Sequence, residues 1–271
     1  MVLVHPGALA VTTYVELAAA LLPQADLFIV DLEQVPEYFQ AALSGGHAGI
    51  TIAELAARID DALWERGLLS PPWLLAGWSF GGVVGHALTT ALAEDEQPEG
   101  LFLLDSIAPV PAYTKADGDL DRMMMLGWFA MYLAAKRGAP VPVPAAELAG
   151  VTVEAGLHLV LDAAVAHGAL RTGTPLHGLR KVFNAFIDGL QRNNRLAAAH
   201  SAMPTSVPVC LIRPERGLLD TPEPLGWTSL APRLIVRSCP GDHYSMLRHP
   251  DAVALIAAAA WQTLVGSPLA I

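Results

Sequence analysis

The 271-residue sequence predicts an α/β fold built on a mostly parallel, doubly wound sheet. Short apolar runs recur along the chain without alternating polar positions, as expected of parallel strands that helices cover on both faces. Helical patterns separate these runs, and regular alternation of strand and helix is typical of such sheets. Hydrophobic residues make up 53% of the chain, which supplies a core large enough for a single α/β domain over residues 1–271.

The predicted strands are the apolar runs of the sequence, which lie at residues 2–4, 27–30, 73–76, 101–104, 207–212 and 234–236. Helix starts are visible between them. Thr51 and Glu54 have the spacing of a capping box ahead of an apolar helical pattern. Pro250 and Asp251 open the last helix, for which we predict Asp251 as the N-cap.

The alternation is interrupted between the strand at 101–104 and the strand at 207–212. Residues 107–200 contain helical patterns and prolines, so we predict a helical insertion within the domain. Such an insertion lies above the carboxyl ends of the strands, where open α/β sheets bind their ligands, and we interpret it as a lid. Its adjacent methionines at 123–125 form either an adaptable wall for a ligand or ordinary packing.

The most informative segment is Leu-Leu-Ala-Gly-Trp-Ser-Phe-Gly-Gly at residues 74–82. An apolar strand pattern leads into Gly77-x-Ser79-x-Gly81, and a helix of small apolar residues follows. A sharp turn brings strand and helix so close that side chains at 77 and 81 would collide, which explains both glycines. This context is typical of the nucleophilic serine of an α/β-hydrolase, so we predict the α/β-hydrolase fold with Ser79 as the nucleophile.

A serine hydroxyl needs a base, and the base needs an acid that orients it. His243 follows the last predicted strand and precedes the final helix, which is the position expected of the base. For the acid, Asp105 and Asp220 both satisfy the chain order serine, acid, histidine. We favour Asp105 because it stands directly at the end of a strand, whereas Asp220 needs a longer excursion of the chain.

Two backbone N–H groups should stabilise the negative charge that develops on the substrate oxygen. Phe80, directly after the nucleophile and at a helix N-terminus, is expected to supply one donor of this oxyanion hole. The loop after the first strand should supply the other, with Gly7 as the first choice and Ala8 as the second. His5 in the same loop is a candidate for the mouth of the pocket.

Composition argues against several classes of function. The net charge of −10 leaves no basic stripe for nucleic acid. The histidines other than His243 lack metal-ligand spacing, so we expect no metal. We also expect no directly bound cofactor. Cys210 and Cys239 lie in strand-like runs and are expected to be buried free thiols. Apolar runs are too short for a membrane span and the amino terminus lacks a signal-peptide pattern, which together predict a cytoplasmic protein without a membrane partner.

With these residues in place, the chain resembles the terminal (type I) thioesterase domains of nonribosomal peptide synthetases and polyketide synthases. Gly-Trp-Ser-Phe-Gly-Gly at 77–82 is similar to the peptide-synthetase form of the serine motif. Leu-Leu-Asp-Ser at 103–106 resembles the family's acid strand, and Pro-Gly-Asp-His-Tyr-Ser-Met-Leu at 240–247 resembles its histidine loop. The resemblance leaves residues 109–200, most of the predicted lid, unmatched.

This resemblance implies a function. A carrier protein would present a peptide or polyketide chain as a phosphopantetheine thioester, and the chain would transfer to Ser79 before release by hydrolysis or macrocyclisation. The resemblance also supports Asp105, because family members carry the acid after this strand. The implied partners are therefore an acyl or peptidyl carrier protein and the chain that it delivers.

Two other interpretations stay open. A stand-alone editing (type II) thioesterase or a general carboxylesterase would use the same triad, and Asp220 as the acid would favour either. A non-catalytic α/β-hydrolase that serves as a binding module is disfavoured, because the sequence contains a candidate for every triad position.

Basic residues concentrate late in the predicted lid, at Arg171, Arg180, Lys181, Arg192 and Arg195. They form either a solvated helix face or a docking surface for an acidic carrier protein. In the second case, reversing Arg192 and Arg195 to glutamate should slow acyl loading from a carrier but not from a small thioester.

Overall fold

The computed structural model describes residues 1–22, 24–116 and 121–266. Its strands form one sheet in the order β2-β1-β3-β4-β5-β6, and every neighbouring pair is parallel. The predicted doubly wound parallel sheet is therefore confirmed. The strand bounds are β1 Val2–His5, β2 Phe28–Asp31, β3 Leu75–Trp78, β4 Leu101–Leu104, β5 Val209–Arg216 and β6 Leu234–Asp242.

The order of the strands reverses at β1. β2 lies on one side of β1, and β3 to β6 follow on the other. The loops that leave β1 and β3 therefore diverge and open a crevice at the carboxyl edge of the sheet, which is where α/β proteins bind ligands.

Helices cover both faces of the sheet. α3 and α4 pack together on one face, and α1 and α9 pack together on the other. The helix bounds are α1 Val15–Leu21, α2 Pro36–Ala41, α3 Ile52–Glu65, α4 Phe80–Ala91, α5 Arg122–Arg137, α6 Ala145–Leu148, α7 Val153–Ala166, α8 Leu176–Ala199 and α9 Pro250–Leu264.

Two of these helix starts were predicted from sequence. The capping box ahead of α3 is present, because Glu54 N donates to Thr51 Oγ1 at 3.2 Å and Thr51 N donates to the Glu54 carboxylate at 2.7 Å. The prediction of Asp251 as the N-cap of α9 is wrong. Pro250 takes the first helical position, which its fixed φ suits, so His249 is the N-cap and Asp251 lies in the first turn.

Side chains along each strand alternate between the two faces, and each face is apolar. Leu3, Ala76 and Phe102 belong to the core on the α1 and α9 side. Val4 and Leu75 belong to the core on the α3 and α4 side. Burial on both faces explains why the strands appear in the sequence as continuous apolar runs. Both cysteines, Cys210 and Cys239, are buried free thiols, as predicted.

Helices α5 to α8 lie between β4 and β5, within the predicted insertion. α5 and α8 pack through aromatic rings, with Phe129 centred 5.2 Å from Phe183 and 5.6 Å from Phe186. These rings are continuous with the core on the α1 and α9 side. Within the described part of the chain, none of the helices combines the length and apolarity that crossing a membrane requires.

His86 is a buried titratable residue in the interior of α4. Its ring lies 5.2 Å from the ring of Trp227, and Nε2 lies 3.4 Å from the Leu230 carbonyl oxygen. Burial, with a smaller contribution from His200, lowers the pKa of His86 from 6.5 to about 4. The folded protein therefore holds this imidazole in its neutral form at neutral pH.

Replacing His86 with leucine should make the protein less sensitive to mild acid. Because the unfolded chain binds this proton more tightly, the contribution of neutral His86 is complete above pH 6.5 and is lost as the pH falls toward about 4. This lowering of the His86 pKa corresponds to about 3 kcal/mol of unfolding free energy. Urea unfolding at about pH 7 and about pH 4.5 measures the difference between the two proteins.

The exposed His47 supplies the control. His47→Leu should keep the wild-type loss of unfolding free energy between the two pH values, whereas His86→Leu should show a smaller loss. An equal loss in wild type and His86→Leu would contradict the prediction.

Candidate active site

The residues predicted from sequence converge at the carboxyl edge of the sheet. Ser79 follows β3, Asp105 follows β4 and His243 follows β6, while the loop with Gly7 and Ala8 follows β1. Parallel strands bring these ends to one side of the molecule, next to the crevice between β1 and β3.

Ser79 occupies the sharp turn between β3 and α4. Its backbone has φ 53° and ψ −127°, an unusual conformation for a residue with a side chain. A Cβ on Gly81 would lie 2.1 Å from the Val4 carbonyl oxygen, and one on Gly77 would lie 2.4 Å from the Gly81 carbonyl carbon. The close approach inferred from the motif is therefore present, and glycine is required at both positions.

His243 and Asp105 form a buried hydrogen-bonded pair. His243 Nδ1 lies 2.7 Å from Asp105 Oδ2, and the two side chains are 2% and 1% exposed. The Leu218 N–H donates to the same carboxylate oxygen at 3.2 Å. Asp220, like Asp105, lines the cavity beside Ser79. Of the two candidate acids, the structure brings Asp105 to the histidine.

Sequence reasoning missed the part that Trp78 plays. Its indole N–H donates to the His243 carbonyl oxygen at 3.0 Å, and the two rings are centred 5.0 Å apart. The backbone of the β5 end also holds the histidine loop, because His243 N donates to Arg216 O at 3.2 Å. The sequence does show a tryptophan next to the predicted nucleophile, which could have indicated the contact with His243. The contact of Arg216 is made by its backbone, so no residue type in the sequence indicates it.

His5, a candidate for the mouth of the pocket, lies in the core instead. His5 is 1% exposed, with Nε2 at 2.9 Å from Leu9 O and Nδ1 at 2.9 Å from the Tyr14 hydroxyl. A carbonyl oxygen only accepts, so Nε2 donates to Leu9 and Nδ1 accepts from Tyr14. Burial lowers the pKa of His5, which keeps this neutral form. His5 stacks on Trp78 as a core residue, with centroids 5.9 Å apart.

The predicted oxyanion donors lie on the two loops that flank the crevice. Phe80 is the first residue of α4, where an N–H has no acceptor within the helix. Gly7 and Ala8 both have positive φ angles, 90° and 71°. The Ala8 N–H donates to the Glu33 carboxylate at 3.3 Å, which gives it a competing acceptor and favours Gly7 as the second donor.

A cavity of about 540 Å³ adjoins Ser79, within the size range of small-molecule sites. The insertion supplies much of its wall. Met124 and Met125 lie in this wall, so two of the adjacent methionines face the cavity. The wall residues from α5 and α8 are Met124, Met125, Trp128, Leu190, Asn193, Asn194 and Ala197. Among the described residues, no group of His, Cys, Asp and Glu side chains could hold a metal ion.

The interpretation of Arg192 as a surface cation is wrong. Arg192 is 5% exposed, and its guanidinium carbon lies 3.5 Å from the centre of the Tyr38 ring. Arg180 pairs with Glu154, and Arg195 donates to the Gly45 carbonyl oxygen. Replacing Arg192 with glutamate would bury a carboxylate against the Tyr38 ring. The charge reversal therefore does not test docking of a carrier protein.

A family model described as Thioesterase domain matches residues 1–259. The chain belongs to the thioesterase family. This membership makes the protein a hydrolase and confirms the resemblance inferred from its motifs. A search of curated proteins finds no match.

Several solved structures share the fold of this thioesterase. A four-domain nonribosomal peptide synthetase, holo-AB3403 bound to AMP and glycine, matches 95% of the chain at 26% identity and a TM-score of 0.63. The chain spans 19% of that protein's length. The RedJ thioesterase of prodiginine biosynthesis in Streptomyces coelicolor matches 97% of the chain and 85% of its own length, at 18% identity and a TM-score of 0.60. The NocB thioesterase domain, in a covalent complex with a fluorophosphonate nocardicin G analogue, matches 95% of the chain and 91% of its own length, at 22% identity and a TM-score of 0.55.

Trp78→Phe should lower the turnover number of this thioesterase. Phenylalanine retains most of the packing against His243 but loses the N–H that holds the His243 carbonyl oxygen. A small displacement of a catalytic group costs one to two orders of magnitude in rate, so we expect kcat to fall at least about ten-fold. Steady-state kinetics on a small acyl thioester measure this effect.

Trp73→Phe is the matched control for this substitution. The Trp73 indole N–H also donates to a backbone carbonyl at 3.0 Å, but at the opposite end of the sheet, beside Glu96. This variant should keep the wild-type kcat. Equal losses of kcat in the two variants would refute a specific role for Trp78.

Proposed function

We propose that this thioesterase releases an acyl or peptidyl chain from the phosphopantetheine thioester of a carrier protein. The single observation that carries the proposal is the buried 2.7 Å hydrogen bond between His243 Nδ1 and Asp105 Oδ2. It leaves Nε2 as the nitrogen that serves as the base, in an enzyme whose Ser79 stands in a strained turn beside a cavity.

The proposed acylation step moves one proton and exchanges one bond. His243 Nε2 takes the proton of the Ser79 hydroxyl as Oγ attacks the carbonyl carbon of the thioester. The C–S bond then breaks, and His243 returns the proton to the departing thiolate of phosphopantetheine. Asp105 holds the imidazole in one tautomer and stabilises its charged form. The product is an ester between the acyl chain and Ser79.

Release repeats this chemistry with a second nucleophile. His243 takes a proton from water, or from an amine or hydroxyl of the acyl chain, as it attacks the ester carbon. The proton passes to Ser79 Oγ when the ester bond breaks. Water yields a free acid, and an internal nucleophile yields a macrocycle. The N–H groups of Phe80 and Gly7 bind the oxyanion in both steps.

The insertion at residues 107–200 acts as the lid in this proposal. Its helices α5 and α8 contribute apolar side chains to the cavity wall beside Ser79. Apolar walls exclude water from the acyl-enzyme, and this exclusion favours attack by a nucleophile within the acyl chain.

The position of the acid supports a terminal (type I) domain over an editing enzyme. The family resemblance associates the terminal domains with an acid after β4, where Asp105 lies, and editing enzymes with an acid after β5. Asp105 and Asp220 both line the cavity, and Asp105 is the one that is hydrogen-bonded to His243.

Labelling with a serine-directed fluorophosphonate should assign the triad. We expect intact-protein mass spectrometry to find one adduct on the wild type and none on Ser79→Ala. Asp105→Asn should slow labelling on the order of 10³-fold or more, because an asparagine does not hold the imidazole in the required tautomer. Asp220→Asn, the matched control, should slow labelling far less. A larger effect of Asp220→Asn than of Asp105→Asn would overturn the assignment of the acid.

Dependence on a carrier protein should separate chain release from general esterase activity. For one acyl chain, we expect kcat/KM to be at least about ten-fold higher on the carrier-bound thioester than on its N-acetylcysteamine thioester, because contacts with the carrier add binding energy. Mass spectrometry of the products then distinguishes hydrolysis, which adds one water, from cyclisation, which does not. Equal kcat/KM values for the two thioesters would favour a general carboxylesterase.

A further inference from the structure

Tyr38 in α2 is a buried residue to which the mechanism so far assigns no part. Its side chain is 0% exposed, and its ring stacks on Phe80 with centroids 5.9 Å apart and 11° between the planes. Its hydroxyl donates to the Pro6 carbonyl oxygen at 3.0 Å. Tyr38 therefore contacts both segments that supply the proposed oxyanion donors, and the inference below rests on that proposed function.

The contact with Pro6 acts on the peptide unit that carries the Gly7 N–H. A trans peptide is planar, and its C=O and N–H groups point in opposite directions. A hydrogen bond that holds the Pro6 carbonyl therefore also sets the direction of the Gly7 N–H. Gly7 and Ala8 lie outside regular secondary structure, so no helix or strand ladder fixes this peptide. Burial raises the pKa of Tyr38, so its hydroxyl keeps the proton that it donates.

Helix α8 holds Tyr38 from the other side. The Arg192 guanidinium lies over the Tyr38 ring, and Arg192 Nη1 donates to the Tyr38 carbonyl oxygen at 3.0 Å. Asn193 Oδ1 lies 2.9 Å from the Tyr38 hydroxyl and also accepts from Arg192 Nε at 3.1 Å. Because a phenol has one proton, Pro6 and Asn193 share it. One acceptor belongs to the oxyanion loop and the other to α8.

Asn193 also lines the cavity beside Ser79. If an acyl chain in the cavity moves Asn193, it therefore changes how the Tyr38 hydroxyl proton is shared between Asn193 and Pro6. Such a change alters the hydrogen bond to the Pro6–Gly7 peptide, because the Pro6 carbonyl oxygen is the other acceptor of the Tyr38 proton.

We propose that Tyr38 is a positioning residue that couples helix α8 to the oxyanion-binding backbone. Through its ring it holds Phe80, and through its hydroxyl it holds the Gly7 peptide. α8 sets the position of Tyr38 through Arg192 and Asn193. An acyl chain that settles against α8 thereby helps to align the two donors that stabilise its own transition state.

Tyr38→Phe tests this coupling, because it removes the hydroxyl and keeps the ring. Tyr132→Phe is the matched control, since its hydroxyl accepts from Lys136 Nζ at 2.8 Å on α5, away from the oxyanion loop. We expect Tyr38→Phe to lower kcat on an N-acetylcysteamine thioester about ten-fold with little change in KM, because oxyanion contacts act mainly in the transition state. Labelling of Ser79 by a fluorophosphonate should slow in parallel. Tyr132→Phe should leave both rates unchanged.

Arg192→Met tests the part played by α8, because methionine fills the space of the stem without the guanidinium. We expect it to lower kcat several-fold alone and to cost less than this in the Tyr38→Phe background, because part of its effect passes through the Tyr38 hydroxyl. Multiplication of the two losses in the double variant would overturn the coupling through Tyr38.

The thermal midpoint of each variant separates positioning from stability. The inference would be overturned if Tyr38→Phe had the same kcat as Tyr132→Phe. It would also be overturned if the kcat of Tyr38→Phe fell only in proportion to its fraction of folded protein. Failure of the proposed function gives different results: without a nucleophilic Ser79 the adduct would be absent from the wild type or would persist on Ser79→Ala, and without carrier-dependent release the two thioesters would give equal kcat/KM values.

Discussion

The buried hydrogen bond between Asp105 and His243 is the interaction on which the surrounding structure depends. Removing a carboxylate from water costs on the order of several kcal/mol unless donors replace its hydration. Asp105 receives two donors, His243 Nδ1 and the Leu218 N–H. β5 continues beyond its pairing with β4, and its last residue, Arg216, accepts a hydrogen bond from the His243 N–H. The end of β5 and the loop after it therefore hold both members of this buried pair, Asp105 through the Leu218 N–H and His243 through Arg216 O.

The insertion contacts the site at two separate places. On the acid side, the Trp128 indole N–H donates to Leu218 O at 2.8 Å, and the Leu218 N–H donates to Asp105. On the opposite side, α8 contacts Tyr38, which holds the loop after β1. Both chains of contacts start from residues that line the cavity. The contents of the cavity and the geometry of the proposed catalytic groups are therefore not independent.

Features that local pattern determines could be predicted from the sequence, and features that tertiary contacts determine could not. The strands follow from apolar runs, and the turn at Ser79 follows from the spacing of its glycines. His5 was a candidate for the pocket mouth, but Tyr14 and Leu9 satisfy its ring nitrogens inside the core. Arg192 has the charge of a surface residue, and nothing nearby in the sequence indicates the aromatic ring beneath it. Backbone donors have no side-chain signal at all.

The two histidines that flank Trp78 illustrate how environment divides their roles. His5 stacks on the indole with both ring nitrogens occupied by Tyr14 and Leu9, so neither is available to take a proton. His243 packs against the same indole but uses only Nδ1 in its bond to Asp105. An imidazole acts as a base through a nitrogen that its partners leave open. The carboxylate at the end of β4, rather than the residue type, thus makes His243 the base in the proposed reaction.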